Sequence, residues 1–179
     1  MAGSRRRWGW HQLTDDFADH LVATASLPRR SLVLDIGAGL GALTLPLAEA
    51  GHRVVAIEAH PGRAAELERT VGDVARVVRA DAADLRLPRR PFHVVANLPF
   101  GVTSPVLRRL LHRGSRLETA HLVVQEAAAR RWVGADAPGW RRWATTYEAS
   151  LGECVPRGAF MPPPRVAARL LVIVRRERG

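Results

Sequence analysis

The sequence contains only one cysteine and no long apolar run, and each of these two shortages excludes a class of protein. Cys154 has no partner in the chain for a disulfide, and a single thiol does not make a structural zinc site. No stretch approaches the roughly 18 apolar residues that a membrane-spanning helix needs, and no apolar stretch follows the basic N-terminus as in a secretory signal. We therefore expect a cytoplasmic, monomeric protein with no membrane partner and no metal.

The charge balance favours a polyanionic partner. All 27 basic residues are arginine, and they exceed the 17 acidic residues by ten. A GC-rich genome explains arginine in place of lysine, but it does not explain the surplus of positive charge. Guanidinium groups form bidentate hydrogen bonds with phosphate and stack on bases. A surplus of positive charge also attracts nucleic acid through counterion release. We therefore expect contact with nucleic acid.

Short apolar segments alternate with helical segments along most of the 179 residues. The alternation predicts parallel strands at residues 31–36, 53–57, 75–78, 92–96 and 121–124. Residues 143–153 and 166–174 predict an antiparallel hairpin that completes the sheet. The fold class is therefore α/β, a doubly wound and mostly parallel Rossmann-like sheet, with ligands at the carboxyl ends of the strands. We divide the chain into a basic arm at residues 1–13 and a single domain at residues 14–179.

Three of the predicted strands end at an acidic residue, which indicates the charge of the ligand. Asp35 precedes a glycine-rich turn at residues 37–41, where a carboxylate would repel the pyrophosphate of a dinucleotide. A cation without phosphate, such as S-adenosylmethionine, is favoured instead. Glu58 is placed to accept hydrogen bonds from ribose hydroxyls, and Asp81 to accept one from an adenine amino group. Asp84 is the alternative to Asp81.

The segment Asn97-Leu98-Pro99-Phe100 follows the fourth strand and is the most specific feature of the sequence. Adenine N6 is a poor nucleophile because its lone pair is delocalised into the ring. The Asn97 side-chain oxygen and the Leu98 carbonyl could accept the two N6 hydrogens and direct the lone pair at a methyl group. Pro99 fixes the bend, and Phe100 offers a face on which a base can stack. These residues predict methyl transfer to adenine without a general base.

With these motifs in this order, the chain resembles the ribosomal RNA adenine N6-methyltransferases, which include the erythromycin-resistance methylases of 23S rRNA and the 16S rRNA dimethyladenosine transferases. The late segment Phe160-Met-Pro-Pro-Pro-Arg-Val166 strengthens the resemblance, since it has no role in generic methyltransferases. The resemblance implies S-adenosylmethionine as donor and a flipped-out rRNA adenine as acceptor. For the resistance branch, it implies protection from macrolide, lincosamide and streptogramin B drugs.

The chain departs from the family pattern at two places. His11 stands where the family places an asparagine that contacts the cofactor, and the family's small C-terminal helical domain, which helps bind RNA, is expected to be absent. From the motifs and the resemblance together, the expected cofactor-binding residues are His11, Leu13, Asp35, Gly37, Ala38, Gly39, Glu58, Ala59, Asp81, Ala82 and Asn97. The expected catalytic residues are Asn97, Leu98, Pro99 and Phe100.

Binding of RNA is assigned to exposed arginines, because the helical domain is expected to be missing. The candidates are Arg5, Arg6, Arg7, Arg108, Arg109, Arg130, Arg131, Arg141 and Arg142. We favour 23S rRNA as the substrate and keep 16S rRNA as the alternative. A nicotinamide-dependent oxidoreductase and a non-catalytic RNA-binding module are the remaining alternatives.

Overall fold

The computed structural model describes residues 11–177. The predicted arm residues Arg5, Arg6 and Arg7 lie outside this range. The helices are α1 (Asp15–Ala25), α2 (Thr44–Glu49), α3 (Pro61–Val71), α4 (Thr103–Leu110), α5 (Glu126–Arg131) and α6 (Trp140–Trp143). The strands are β1 (Gln12–Leu13), β2 (Leu32–Ile36), β3 (Arg53–Glu58), β4 (Ala75–Arg79), β5 (Phe92–Asn97), β6 (Leu117–Gln125), β7 (Tyr147–Val155), β8 (Phe160–Met161) and β9 (Ala168–Arg175).

Seven strands form one sheet in the order β4-β3-β2-β5-β6-β9-β7. The first five strands of this order run parallel, and β9 and β7 are antiparallel to their neighbours. Sequence alternation therefore predicted the fold class correctly, including the final antiparallel pair. Since the order reverses between β2 and β5, the carboxyl ends of these strands flank the position where α/β sheets bind ligands.

Side chains on both faces of the sheet are buried, as expected for parallel strands covered by helices. In β5, Phe92, Val94, Val95 and Ala96 have no exposed surface, and neighbouring strands contribute Leu34, Ile36 and Leu122 to the core. At roughly 25 cal/mol per Å² of apolar surface, this burial is the main force that holds the sheet in place. The core fixes the ends of β2, β3 and β5, where the predicted site residues Asp35, Glu58 and Asn97 lie.

One predicted strand begins later than expected. Residues 143–153 were predicted as a strand, but Trp140–Trp143 form the single-turn helix α6 and β7 begins at Tyr147. The helix follows Gly139 in a left-handed conformation (φ 71°), and the Trp143 indole donates to the Pro138 carbonyl at 3.1 Å. The tryptophans at 140 and 143 suit a strand by propensity, and this local turn overrides that preference.

A second, two-stranded sheet joins the start and the end of the described chain. Strand β1 pairs antiparallel with β8, with Gln12 opposite Met161 and Leu13 opposite Phe160. Leu13 and Phe160 are both buried. Residues 12 and 13 thus belong to the folded domain, so the boundary predicted after residue 13 was placed too late. Among residues 11–177, no helix has both the length and the apolar character needed to cross a membrane.

Candidate active site

A cleft lies at the carboxyl ends of β2, β3 and β5, as the fold class predicts. It encloses about 560 Å³ of space, part of which is open to solvent. Its walls come from the turn after β2, the end of β3, the segment after β5 and strand β1. The predicted site residues among its lining are His11, Leu13, Asp35, Gly37, Ala38, Gly39, Glu58, Asn97, Leu98, Pro99 and Phe100.

The glycine-rich turn has already used the backbone donors that a phosphate would need. The N–H groups of Gly37 and Ala38 both donate to the Ile57 carbonyl, at 2.8 and 3.0 Å. The Gly39 N–H donates to the Glu58 carboxylate at 2.9 Å. Because these three donors are taken, the turn does not offer the row of free N–H groups that cradles a phosphate.

Gly37 is required by its surroundings as well as by its backbone. Its φ is +77°, and a Cβ at this position would lie 2.8 Å from Pro99 Cδ. The turn after β2 therefore packs directly against the segment after β5. The predicted cofactor turn and the predicted catalytic segment form a single contact surface.

Asp35 lies at the base of the cleft and is almost fully buried, with 1% of its surface exposed. Its Oδ2 accepts a hydrogen bond from the Thr44 hydroxyl at 2.6 Å. Burial raises the pKa of Asp35 from 3.8 to about 7, the Thr44 hydrogen bond opposes this rise, and the nearby Glu58 charge adds to it. A cation in the cleft would therefore favour the ionised form of Asp35.

Glu58 is buried and is held by three donors. Oε2 accepts from Gly39 N, while Oε1 accepts from His60 N at 2.7 Å and from the Arg63 guanidinium at 2.9 Å. A carboxylate has about four acceptor positions, so roughly one remains. Two ribose hydroxyls would require one existing donor to move. Arg63, on a long side chain that lines the same cleft, is the donor that can do so without a change in the backbone.

Asn97 ends β5 at the edge of the cleft, and its amide is held in one orientation. Its Nδ2 lies 2.7 Å from the backbone oxygen of His11. A carbonyl oxygen only accepts hydrogen bonds, so this contact identifies Nδ2 as the donor and fixes the other end of the amide as Oδ1. None of residues 11–177 donates to Oδ1. The amide therefore keeps one acceptor available at the edge of the cleft.

The neighbouring backbone supplies a second acceptor. Leu98 is buried and its N–H donates to the Val123 carbonyl at 3.0 Å, which anchors the segment to β6. No donor within the described part of the chain reaches the Leu98 carbonyl oxygen. The Pro99 carbonyl is used by Val102 N at 3.0 Å in a short 3₁₀ turn that begins at Phe100. Asn97 Oδ1 and Leu98 O therefore both lack a donor among residues 11–177, and their contact with adenine stays a prediction.

His11 acts on this segment in a way that the sequence did not reveal. Its ring Nδ1 is 2.8 Å from the Pro162 carbonyl, and its ring centroid is 5.8 Å from that of Phe100. The residue was expected to bind the cofactor in place of an asparagine. In the structure it lines the cleft, and its backbone oxygen positions Asn97.

Three of the predicted cofactor residues do not line the cleft: Ala59, Asp81 and Ala82. Asp81 is exposed, and its Oδ1 accepts from Ala83 N at 2.8 Å, so it caps a short 3₁₀ helix. It lies two residues beyond Arg79, which is paired in register with Glu58. Asp81 is therefore close to the Glu58 end of the cleft, and its contact with adenine stays a prediction.

The predicted RNA-binding arginines fall into two groups. Arg109 pairs with Asp84 at 2.8 Å, and Arg130 pairs with Glu126 at 2.7 Å. The side chains in the second group form no ion pair with any of residues 11–177, and they are Arg108, Arg131, Arg141 and Arg142. The Arg109–Asp84 pair could not be read from the sequence, since the two residues are 25 positions apart, whereas Glu126 and Arg130 have the i,i+4 spacing of a helical ion pair.

The sheet order and the acid-lined cleft define the chain as a protein of the S-adenosylmethionine-dependent methyltransferase fold. Two solved methyltransferase structures share this fold. The TehB-like S-adenosylmethionine-dependent methyltransferase from Corynebacterium glutamicum superposes with a TM-score of 0.59 at 18% identity, over 89% of this chain and 88% of that one. The magnesium protoporphyrin IX methyltransferase from Synechocystis superposes with a TM-score of 0.60 at 21% identity, over 96% and 89%. Residues 2–179 match the model of the family described as ribosomal RNA adenine dimethylase. The chain belongs to this family.

Relatives from both branches of the family are similar to the chain. It is 36% identical to the rRNA adenine N-6-methyltransferase of Corynebacterium diphtheriae, over 92% of this chain and 64% of the relative. It is 37% identical to the mycinamicin-resistance protein MyrB of Micromonospora griseorubida, over 98% and 57%. It is 33% identical to the ribosomal RNA small subunit methyltransferase A of Ralstonia nicotianae, over 96% and 65%.

Among solved structures, the 23S rRNA methyltransferase ErmE superposes with a TM-score of 0.81 at 29% identity, over 93% of this chain and 70% of ErmE. The chain spans about three fifths of the length of the first two curated relatives.

Proposed function

We propose that this chain transfers a methyl group from S-adenosylmethionine to N6 of an unpaired adenine in ribosomal RNA, with 23S rRNA as the favoured substrate. The observation that carries the proposal is the pair of acceptors at Asn97 Oδ1 and Leu98 O. Both are without a donor among residues 11–177, and both lie in the segment that packs on the cofactor turn through Pro99.

The donor set of the cleft fits S-adenosylmethionine better than it fits a dinucleotide. The N–H groups of Gly37, Ala38 and Gly39 are consumed within the protein, and two buried carboxylates, Asp35 and Glu58, face the same cleft. Negative charge and a lack of free N–H groups disfavour pyrophosphate and favour a cation. Hence the oxidoreductase alternative is disfavoured. S-adenosylmethionine, when bound, supplies an electrophilic methyl group on a positively charged sulfur.

The two acceptors would orient the target base. Adenine N6 carries two hydrogens, and bonds to Asn97 Oδ1 and Leu98 O would hold both of them and turn the nitrogen lone pair toward the methyl donor. Phe100, half-buried at the mouth of the cleft, would stack on the base, a contact worth about 1–3 kcal/mol. The target must be unstacked first, because an adenine inside a duplex is out of reach. As the N–C bond formed, the bond from the methyl carbon to sulfur would break, and its electron pair would stay on the sulfur, which becomes a neutral thioether. The N6 proton would then leave to water, so the chain needs no general base.

Replacement of the amide tests this role. Asn97→Ala removes the side-chain acceptor and is expected to abolish transfer of labelled methyl groups to rRNA while leaving equilibrium binding of S-adenosylmethionine largely intact. Gln125→Ala is the matched control, because Gln125 is an amide at the end of the neighbouring strand β6 and does not line the cleft. Full turnover by Asn97→Ala would remove Asn97 from the mechanism. Loss of methyl transfer in both variants would also contradict a specific role.

The choice of 23S rRNA is supported by the similarity to MyrB, whose name records resistance to mycinamicin, and to the 23S methyltransferase ErmE. Modification of 16S rRNA is the second candidate, favoured by the similarity to the small subunit methyltransferase A of Ralstonia nicotianae. Mass spectrometry of nuclease fragments of both rRNAs, from ribosomes of cells with and without the chain, separates the two and detects one methyl group or two. We expect a new methylated adenine in 23S rRNA together with reduced susceptibility to macrolides, and a methylated adenine only in 16S rRNA would reverse the choice.

A further inference from the structure

A groove rich in arginine lies at the opposite edge of the sheet from the cleft. It encloses about 1720 Å³ of space, part of it open to solvent, between the end of α4, the segment that leads into β6, and helix α6. We name it the amino-edge groove and define it by Arg108, Arg113, Trp132, Arg141 and Arg142, which all line it. The cofactor and the catalytic segment have no part in this surface.

The charge of the amino-edge groove is uncompensated. Four arginines and no acidic residue line it, and none of the four guanidinium groups forms an ion pair or hydrogen bond with another described residue. By contrast, Arg109, Arg130, Arg169, Arg175 and Arg176 each pair with a carboxylate. Four arginines without an ion pair to any described residue therefore share one concavity, where their potentials add.

A buried polar group at the same place also lacks a partner. Trp132 lines the groove with 1% of its surface exposed, and its Nε1 is buried with no hydrogen-bond acceptor among residues 11–177. A buried donor without an acceptor costs about 1–3 kcal/mol, so the indole packs here at some cost in stability. Trp143, the other tryptophan in the lining, has its indole bonded to Pro138. The four free guanidinium groups, which are donors only, favour an anionic ligand with several oxygen acceptors.

The position of the groove relates it to the proposed substrate. The loop at residues 111–116 leads into Leu117, the first residue of β6, whereas Asn97 is paired in register with Val123. Six residues of strand at about 3.3 Å each separate these levels, or about 20 Å. One RNA molecule that reaches both sites must therefore continue for about six nucleotides beyond the target adenine, at about 3.4 Å per step along one strand of a helix.

We propose that the amino-edge groove binds the sugar-phosphate backbone of the RNA substrate at a segment about six nucleotides or more from the methylated adenine. This inference rests on the proposed function. The groove adds affinity for RNA and takes no part in the chemistry, so it discriminates between long and short substrates. An acidic protein segment is the competing occupant, and the experiment distinguishes it.

The test compares two RNAs and two pairs of arginines. Arg141→Gln with Arg142→Gln removes two groove charges, and Arg29→Gln with Arg30→Gln is the matched control, since these neighbours are also exposed and make no described ion pair. Fluorescence anisotropy gives RNA affinity as a function of salt, and labelled-methyl transfer gives kcat and KM. One RNA holds the target adenine in a long stem-loop, and the other ends within three nucleotides of it.

For the long RNA, the groove variant is expected to lower the slope of log affinity against log salt by about 1.4, or about 0.7 for each phosphate that the variant no longer neutralises. At 0.15 M salt the groove variant should therefore bind the long RNA about tenfold more weakly than wild type. KM for RNA should rise by the same factor while kcat at saturating RNA stays unchanged, and the short RNA should show no effect. Equal effects of both variants, an equal effect on both RNAs, or no effect would overturn the proposal.

The inference about the groove and the proposed function can be refuted independently of each other. If wild type binds the long RNA with the expected salt dependence and methylates no rRNA, the proposed function is wrong while the groove inference holds as RNA binding. If wild type methylates both RNAs and the groove variant is indistinguishable from it, the groove inference is wrong while the function holds.

Discussion

Asp35 is the residue whose replacement tests the electrostatics of the cleft most directly. Burial raises its pKa from 3.8 to about 7. Between these two pH values the folded chain holds a proton on Asp35 that the unfolded chain has released, so the free energy of unfolding falls as pH rises through this window. The loss is absent below pH 3.8 and complete above pH 7. A difference of about three pKa units at 1.36 kcal/mol each gives a loss of about 4 kcal/mol.

Asp35→Asn is expected to remove this loss. Asparagine retains an acceptor for the Thr44 hydroxyl, which bonds Oδ2 in the structure, so the packing around the site is kept. Urea denaturation followed by circular dichroism from pH 5 to pH 8 measures the free energy of unfolding of both proteins. Wild type should lose more stability than the variant as pH rises toward 8. Asp73→Asn, which removes an exposed charge, is the matched control and should follow wild type.

The stabilisation that a ligand provides should depend on pH in the opposite direction from the stability of the free protein. A cationic ligand favours the ionised carboxylate, so S-adenosylmethionine should raise the melting temperature of wild type more at pH 7.5 than at pH 6. Asp35→Asn should show no such difference. If the variant and wild type lose stability equally between pH 5 and pH 8, a buried carboxyl at position 35 is not the cause, and the electrostatic account of the cleft is refuted.

Two further substitutions test the walls of the cleft. Gly37→Ala places a Cβ 2.8 Å from Pro99 Cδ in a backbone with φ +77°. We therefore expect the free energy of unfolding, measured by urea denaturation, to fall by about 1–3 kcal/mol and cofactor binding to weaken. Gly101→Ala is the control, because the space around its Cβ is open. Glu58→Gln should weaken S-adenosylmethionine binding by about 10–100-fold in calorimetry, because a charge-assisted hydrogen bond is worth about 1.5–3 kcal/mol. Unchanged affinity would contradict the ribose role of Glu58.

The strand ends were predictable from the sequence, because one local rule places them. Asp35, Glu58 and Asn97 each follow a short apolar run, and in a parallel sheet all such ends meet at one edge. The rule predicts at which edge of the sheet a side chain lies, but it does not predict how far that side chain is from the cleft. Asp81 obeys the same rule, yet it caps the next turn and stays exposed.

The orientation of the Asn97 amide could not be predicted from the sequence. The acceptor for Asn97 Nδ2 is the backbone oxygen of His11, which lies 86 positions away in the chain, and a backbone carbonyl leaves no residue-type signature. The identity of residue 11 drew attention to a cofactor contact, whereas the contact with Asn97 belongs to the main chain. Whether an arginine is paired with a carboxylate also depends on the tertiary structure. Arg109, for example, is neutralised by Asp84, which lies 25 positions earlier in the chain.

The pairing of β1 with β8 makes the orientation of the Asn97 amide depend on residues far along the chain. His11 contacts Asn97 only where β1 is held, and its partner strand contains residues 160 and 161. A nascent polypeptide that has not yet emerged beyond that point has its cofactor turn but no anchored amide.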